Sequence, residues 1–184
     1  FFGQATAIRG GVIPEWNWGY ADIKFFGEKG EVAKAKALLA EAGFPNGFET
    51  SMTMASSFPP MMGMAPIIQA NLAAIGIKAK INSMEIPRYW DEIWGPSKFD
   101  MTAMYWLSPL ADPDDFVTNN YKRGMAVNVQ KSGSAELDAI LDEAKQAPSQ
   151  DARKAIYKKM QEMSLEEMGI VPLVNGHLLI AHSN

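Results

Sequence analysis

The stretch FETSMTMASSFPPMMGMAPIIQANLAAIGIKAKINSM, residues 48–84, decides the fold that the sequence predicts. Its first seven residues (48–54) alternate between two faces, as a half-buried strand does. The proline-containing segment 56–63 predicts a loop. A helix follows, with Pro66 in its first turn and with a buried face formed by Ile68, Leu72 and Ile75. Residues 77–84 alternate again, and their lysines share one face, which is typical of an edge strand.

Three further segments flank this unit in the first two thirds of the chain. Residues 31–42 carry an apolar helical stripe and end at Gly43. Residues 87–94 predict a short helix that buries Tyr89, Trp90, Ile93 and Trp94. Residues 99–107 are nearly continuously apolar, which predicts a strand covered on both faces. Strands and helices thus alternate, and we expect an α/β domain with a largely parallel sheet of strand order 2-1-3 and flanking helices.

The ends of the chain carry different patterns. Residues 1–30 are rich in glycine, proline and aromatic residues without a steady period, and we expect an irregular lead-in. Residues 134–145 and 150–168 predict two helices, whose inward positions are Leu137, Ile140, Leu141, Ala144, Ala152, Ile156, Met160 and Met163. The pair Asn175-Gly176 lies between two apolar runs, which predicts a hairpin turn.

Composition excludes several classes of function. The formal net charge is −4 and no cluster of lysine or arginine occurs, which argues against nucleic acid and anionic membranes as partners. No apolar run reaches 18 residues, and the opening residues lack the features of a signal peptide. The chain has no cysteine, and its histidines, His177 and His182, suggest no nucleophile set, so we expect no enzyme and no cofactor.

Methionine is abundant, at 12 residues, and five methionines lie in or near the first strand and the loop after it. A soft-metal site for Cu(I) is one interpretation. The alternative is that Met52 and Met54 belong to the core, whereas Met61, Met62 and Met64 line the loop as an adaptable apolar wall. We favour the second interpretation and predict no metal site.

The candidate ligand site begins at YWLSPLADPDDF, residues 105–116. Ligands of open α/β sheets bind beyond the carboxyl ends of the strands, where this segment and residues 55–63 leave the sheet. Aromatic faces offer rigid contact area, and hydroxyl groups and a carboxylate offer polar contacts. The predicted ligand-binding residues are Trp106, Tyr105, Ser108, Asp112, Ser57 and Phe58. In the alternative interpretation Trp106 belongs to the core, and Asp112, Asp114 and Asp115 cap the next helix.

Several motifs, in order, resemble extracellular solute-binding proteins of family 5, the dipeptide, oligopeptide and nickel receptors of ABC importers. The resemblance runs from about Gly11 to Ala181 and is carried by KAKALLAEAGFPNGFETSM, IQANLAAIGIKAKI, FDMTAMYWLSPLADPDDF, SAELDAILDEA and YKKMQEM. It implies a three-layer periplasmic-binding-protein type II lobe. Because family members are longer and bilobed, residues 1–184 are expected to form one lobe, with an irregular lead-in over 1–30, a core over 31–184 and both termini near the hinge.

The resemblance also implies partners and a compartment. We expect a small-molecule solute, a membrane ABC permease and the missing N-terminal lobe as partners. The expected location is periplasmic or otherwise extracytoplasmic, with the signal peptide absent from this chain. The alternative within the same fold is a periplasmic sensor or protein-interaction module.

Two departures from the family pattern bear on the solute. The aspartate that receives a peptide's α-amino group, three residues after the motif tryptophan, is replaced by Pro109, and the loop after the first strand contains no arginine for a carboxylate. Losing a buried ionic contact costs about 2–5 kcal/mol, so ordinary dipeptides are disfavoured. We expect a modified peptide, an opine-like conjugate, an oligosaccharide or a metal chelate, with Asp112 either orienting the loop or taking a cationic group.

Overall fold

The computed structural model describes residues 5–27, 29–95, 98–106 and 111–176. Its elements are, in chain order, β1 (Ala5–Ala7), α1 (Val32–Glu41), β2 (Glu49–Ala55), α2 (Pro59–Ala74), β3 (Lys78–Met84), α3 (Ile86–Trp94), β4 (Met101–Thr102), α4 (Asp114–Tyr121), α5 (Ala135–Gln146), α6 (Gln150–Glu167) and β5 (Val174–Gly176). The chain divides into a sheet unit, Lys29–Leu107, and a helical unit, Phe1–Glu28 with Ser108–Asn184. Each unit has a hydrophobic core of its own.

The sheet unit contains a parallel three-stranded sheet of order β3-β2-β4, which confirms the predicted α/β fold and the 2-1-3 order of its strands. β2 pairs with β3 along its full length, from Glu49 opposite Lys78 to Ala55 opposite Met84. β4, in contrast, is two residues long and lies at an edge. The prediction of a covered strand over 99–107 is therefore wrong. Its apolar run is half-buried at Met101–Met104 and leaves the ladder, so Tyr105 is exposed.

The predicted loop over 56–63 is also wrong, because α2 already begins at Pro59. Prolines suit the first turn of a helix, whose backbone N–H groups have no intrahelical partner. Pro66 therefore lies in the interior of α2. The methionines of this segment belong to the core instead of a loop wall: Met61 is buried with Met52, Met54 and Ala65, and Met62 and Met64 pack against them.

Two helices of the sheet unit are more exposed than their sequence patterns predict. α1 has no buried residue, and Val32 and Leu38 of its apolar stripe are 44% and 55% exposed. In α3, Tyr89 and Ile93 are buried as expected, but Trp94 is 50% exposed. Periodicity identifies the apolar face of a helix, whereas its burial depends on which neighbours cover that face.

The helical unit packs α4, α5 and α6 around one core. The four positions predicted for α5 are all buried: Leu137, Ile140, Leu141 and Ala144. On α6 Met160 is buried, whereas Ala152, Ile156 and Met163 are half-buried. The side chain of Ser134 caps α5 by accepting a hydrogen bond from the Leu137 N–H at 3.1 Å.

The irregular lead-in is held to α6 by the fully buried side chain of Gln161. Its Oε1 accepts the Ile13 N–H at 3.0 Å, and its Nε2 donates to the carbonyls of Gly19 and Tyr157. A Cβ on Gly11 would lie 2.3 Å from the same Oε1, so only glycine fits there. A segment without regular structure is thus fixed by a buried amide that satisfies its backbone.

Asn175 and Gly176 do not form the predicted turn. Both lie in β5, which pairs antiparallel with β1, placing Thr6 opposite Asn175. The second run of the predicted hairpin falls in residues 177–184, which lie outside the described residues. The turn signal is local, whereas the partner of β5 comes from the other end of the sequence.

Candidate functional site

The sheet unit gathers aromatic side chains at the carboxyl ends of its three parallel strands. Phe58 follows β2, Trp90 lies on the helix after β3, and Tyr105 follows β4. The ring centroid of Phe58 lies 5.4 Å from that of Tyr105 and 6.1 Å from that of Trp90, both nearly edge to face. Such offset contacts are the favourable geometry for aromatic pairs. We call Phe58, Tyr89, Trp90, Trp94 and Tyr105 the aromatic cluster.

The two ends of the aromatic cluster are open to solvent. Tyr105 is 54% exposed, and Trp94 is 50% exposed. Trp94 stacks on Trp90 with centroids 4.2 Å apart and planes inclined by 11°. Large aromatic faces at this edge of a parallel sheet offer a rigid contact area for a ligand, at the position where such sheets bind one.

A chain of hydroxyl groups fixes the inner part of the aromatic cluster. Thr102 Oγ1 donates to the Thr53 carbonyl at 2.8 Å. Because this bond uses the only proton of the Thr102 hydroxyl, the Tyr89 hydroxyl is the donor in its 2.8 Å contact with Thr102 Oγ1. Burial raises the pKa of Tyr89. The phenol therefore stays protonated at neutral pH and ties α3 to β4 and β2.

Of the predicted site residues, four lie in the sheet unit, one lies in the helical unit and one lies outside the described residues. Phe58 and Tyr105 are brought together in the aromatic cluster, Ser57 is exposed in the turn beside Phe58, and Trp106 is half-buried at the end of the described part of the sheet unit. Ser108 lies outside the described residues, as does Pro109.

Asp112 belongs to the helical unit, where its carboxylate already has a cationic partner. Arg153 donates to it through two nitrogens, at 2.7 and 2.8 Å, and also to the Tyr157 hydroxyl at 2.7 Å. The same guanidinium lies 5.0 Å from the centroid of Trp18. Asp112 Oδ1 also accepts the Asp114 N–H at 2.9 Å, at the start of α4. These contacts tie Asp112 to α6 and to the start of α4, whose N-cap residue, Pro113, receives no side-chain cap. The role of Asp112 in orienting the loop or in taking a cationic group stays a prediction.

The electrostatics of this ion pair agree with its geometry. Burial alone raises the pKa of Asp112, but the hydrogen bonds from Arg153 and from the Asp114 N–H, with the charge of Arg153, outweigh it and lower the pKa overall. The hydrogen bonds to Asp112 raise the pKa of Arg153. Burial raises the pKa of Tyr157 to about 12, against the opposing effect of Arg153. All three groups keep their usual charge states near neutral pH.

Sequence reasoning missed four contributors to these arrangements. Trp90 and Trp94 were expected inside the core. Their position on the helix that follows β3 could have indicated the carboxyl end of the sheet, where ligands bind. Arg153 lies 41 residues from Asp112, and no local pattern indicates that pairing. Glu85, which directly follows β3 and accepts a hydrogen bond from Ser56 Oγ at 3.4 Å, was also not considered.

The described residues contain neither a cluster of metal ligands nor a helix that spans a membrane. Within the described ranges, no three histidine, aspartate or glutamate side chains gather as metal ligands would. Across the same ranges, none of the helices combines the length and apolarity needed to cross a bilayer.

Comparison with known proteins places these features in a family. The profile of bacterial extracellular solute-binding proteins, family 5 Middle, matches residues 1–126. Di/tripeptide-binding protein 3 of Pseudomonas aeruginosa is 31% identical over 176 residues, covering 92% of this chain and 32% of the relative. The chain thus spans about a third of the length of such relatives.

Solved structures similar to this chain point to the same family. The ABC transporter-associated periplasmic binding protein DppA from Helicobacter pylori, in complex with the peptide STSA, superposes with a TM-score of 0.84 at 34% identity, covering 94% of this chain and 34% of that one. The binding protein AgaA from A. tumefaciens R10, in complex with agropinic acid, superposes with a TM-score of 0.82 at 30% identity. The match covers 96% of this chain and 36% of AgaA. These neighbours are binding proteins rather than enzymes. The chain belongs to the bacterial extracellular solute-binding proteins of family 5.

Proposed function

We propose that this chain is one lobe of the substrate-binding component of an ABC importer. It captures a small polar solute between two lobes without chemical turnover, and a membrane permease takes up the solute from the closed form. The sheet unit and the helical unit are parts of this single lobe, and the second lobe lies in a part of the receptor other than these residues. The protein acts in the periplasm or elsewhere outside the cytoplasm.

The observation that carries this proposal is the aromatic cluster at the carboxyl ends of β2, β3 and β4. It combines a rigid interior, fixed through Tyr89, with an exposed rim at Tyr105. A buried core alone would not leave such a rim, and the relatives reported above are binding proteins. Binding is therefore the chemistry that the cluster serves best. Trp106 and Tyr105 wall the solute, and Ser57 and Ser108 supply hydroxyl groups.

The solute is a modified peptide, an opine-like conjugate, an oligosaccharide or a metal chelate. Names of similar proteins support the peptide and opine-like classes in this range: one is a di/tripeptide-binding protein, one was solved with the peptide STSA and one with agropinic acid. Simple dipeptides remain disfavoured, because the family's two ionic anchors are absent from the sequence.

Thermal unfolding of the full-length protein with these four classes of solute tests the proposal. We expect one class to raise the melting temperature, and Trp106→Ala to remove that shift. Trp16→Ala is the matched control, because Trp16 is 67% exposed in the lead-in. No shift with any class, together with saturable binding of a protein partner, would favour a sensor or interaction module. Release of products from a peptide or ester would contradict a purely binding role.

A further inference from the structure

Glu85 occupies an unusual position at the carboxyl end of β3. It is the N-cap residue of α3, yet its side chain makes no capping hydrogen bond. Glutamate is not among the favoured N-cap residues, whose short side chains reach the first free N–H groups. Helix capping therefore does not explain why a carboxylate stands there.

The carboxylate of Glu85 is instead turned toward the segment that follows β2. Ser56 donates its backbone N–H to the Met84 carbonyl at 2.8 Å and its hydroxyl to Glu85 Oε1 at 3.4 Å. Ser56 is two residues before Phe58, the centre of the aromatic cluster. An anionic group thus lies beside the segment that carries Phe58, within the sheet unit.

Glu85 has no cationic partner in the described part of the chain, since no lysine or arginine nitrogen there lies within 4 Å of it. Two other carboxylates of the same unit are paired, Glu49 with Lys78 and Glu92 with Arg88. In the helical unit, Asp112 is paired with Arg153. Glu85 is therefore a carboxylate of the strand-end region whose charge is still available for a ligand.

We propose that Glu85 receives a cationic nitrogen of the solute, which the aromatic cluster covers with its faces. The inference rests on the proposed function and narrows the solute to an amine, a guanidinium or a quaternary ammonium compound. A carboxylate provides charge-assisted hydrogen bonds to such a group, and tyrosine and tryptophan faces attract a cation through their electron-rich surface.

Calorimetric titration of the full-length protein with Ser-Thr-Ser-Ala and its N-acetylated form tests this inference. We expect the free amine to bind about tenfold or more tightly than the acetylated peptide, and Glu85→Gln to bind both forms equally. Asp91→Asn, which removes one exposed charge from the same helix, is the control and should keep the wild-type ratio. The melting temperature of Glu85→Gln without ligand verifies that the substitution leaves the fold intact.

The outcomes separate the inference from the proposed function. Equal binding of both peptides by the wild type, an unchanged ratio in Glu85→Gln, or no binding of either peptide would overturn the role of Glu85. If a solute without any cationic group still shifts the melting temperature in a Trp106-dependent way, the receptor function stands while the role of Glu85 fails. If no solute shifts it, both fail.

Discussion

The ion pair between Arg153 and Asp112 offers the sharpest test of how the helical unit is held together. Arg153→Met removes two hydrogen bonds to Asp112 and one to Tyr157, and it keeps an apolar stem beside Trp18. The charged side chains are 23% and 41% exposed. The pair therefore lies between exposed pairs, worth about 0–1 kcal/mol, and buried ones, whose disruption costs about 3–5 kcal/mol.

From this intermediate exposure we expect Arg153→Met to lower the free energy of unfolding by about 2–3 kcal/mol. A double-mutant cycle with Asp112→Asn should give a coupling energy of about 1–2 kcal/mol. Urea denaturation of the full-length protein, followed by fluorescence, measures both quantities. The control pair on the same helix is Lys158 and Glu162, 3.8 Å apart and more than half exposed, whose coupling should stay below about 0.5 kcal/mol.

The same pair predicts a pH dependence with a defined sign. The pKa of Asp112 is lower in the folded protein than its ordinary value of about 3.9. The stability that ionised Asp112 contributes is therefore fully present above pH 4 and is lost as the pH falls through the folded-state pKa. The difference in unfolding free energy between wild type and Asp112→Asn should shrink below pH 4. A coupling energy near zero, or a difference independent of pH down to about 2.5, would refute the reasoning.

Three other substitutions test the remaining contacts, with urea denaturation as the common measurement. Tyr89→Phe removes the donor to Thr102 and should cost about 1 kcal/mol; no loss of stability would contradict the hydroxyl chain. Gln161→Leu leaves the Ile13 N–H without its acceptor and should cost about 1–3 kcal/mol; an unchanged midpoint would show that the amide does not hold the lead-in. Gly11→Ala introduces a clash with Gln161 and should cost about 1–3 kcal/mol, and the double variant Gly11→Ala/Gln161→Ala should recover part of that loss.

The sequence predicted features that depend on short-range periodicity. The buried face of α5 follows from the spacing of Leu137, Ile140, Leu141 and Ala144. The strand order follows from the alternation of lysine and apolar residues in β3, which marks an edge. Phe58 and Tyr105, two of the predicted site residues, lie side by side, because parallel strands end on the same side of a sheet.

The features that sequence reasoning missed depend on long-range partners. Asn175 and Gly176 favour a turn locally, but pairing with β1 places them in a strand. Arg153 and Asp112 are 41 residues apart, and only the packed helical unit brings them together.

The start of α2 at Pro59 was misread, since proline indicates a loop as readily as the first turn of a helix.

The central claim is that the aromatic cluster at the carboxyl ends of β2, β3 and β4 binds a small solute. Native mass spectrometry of the full-length protein, purified under native conditions, tests it most directly. We predict a retained small molecule in the wild type, its loss in Trp106→Ala and its retention in the Trp16→Ala control. A mass without any bound solute, together with no thermal shift across peptides, sugars, opines and metal chelates, would contradict the claim.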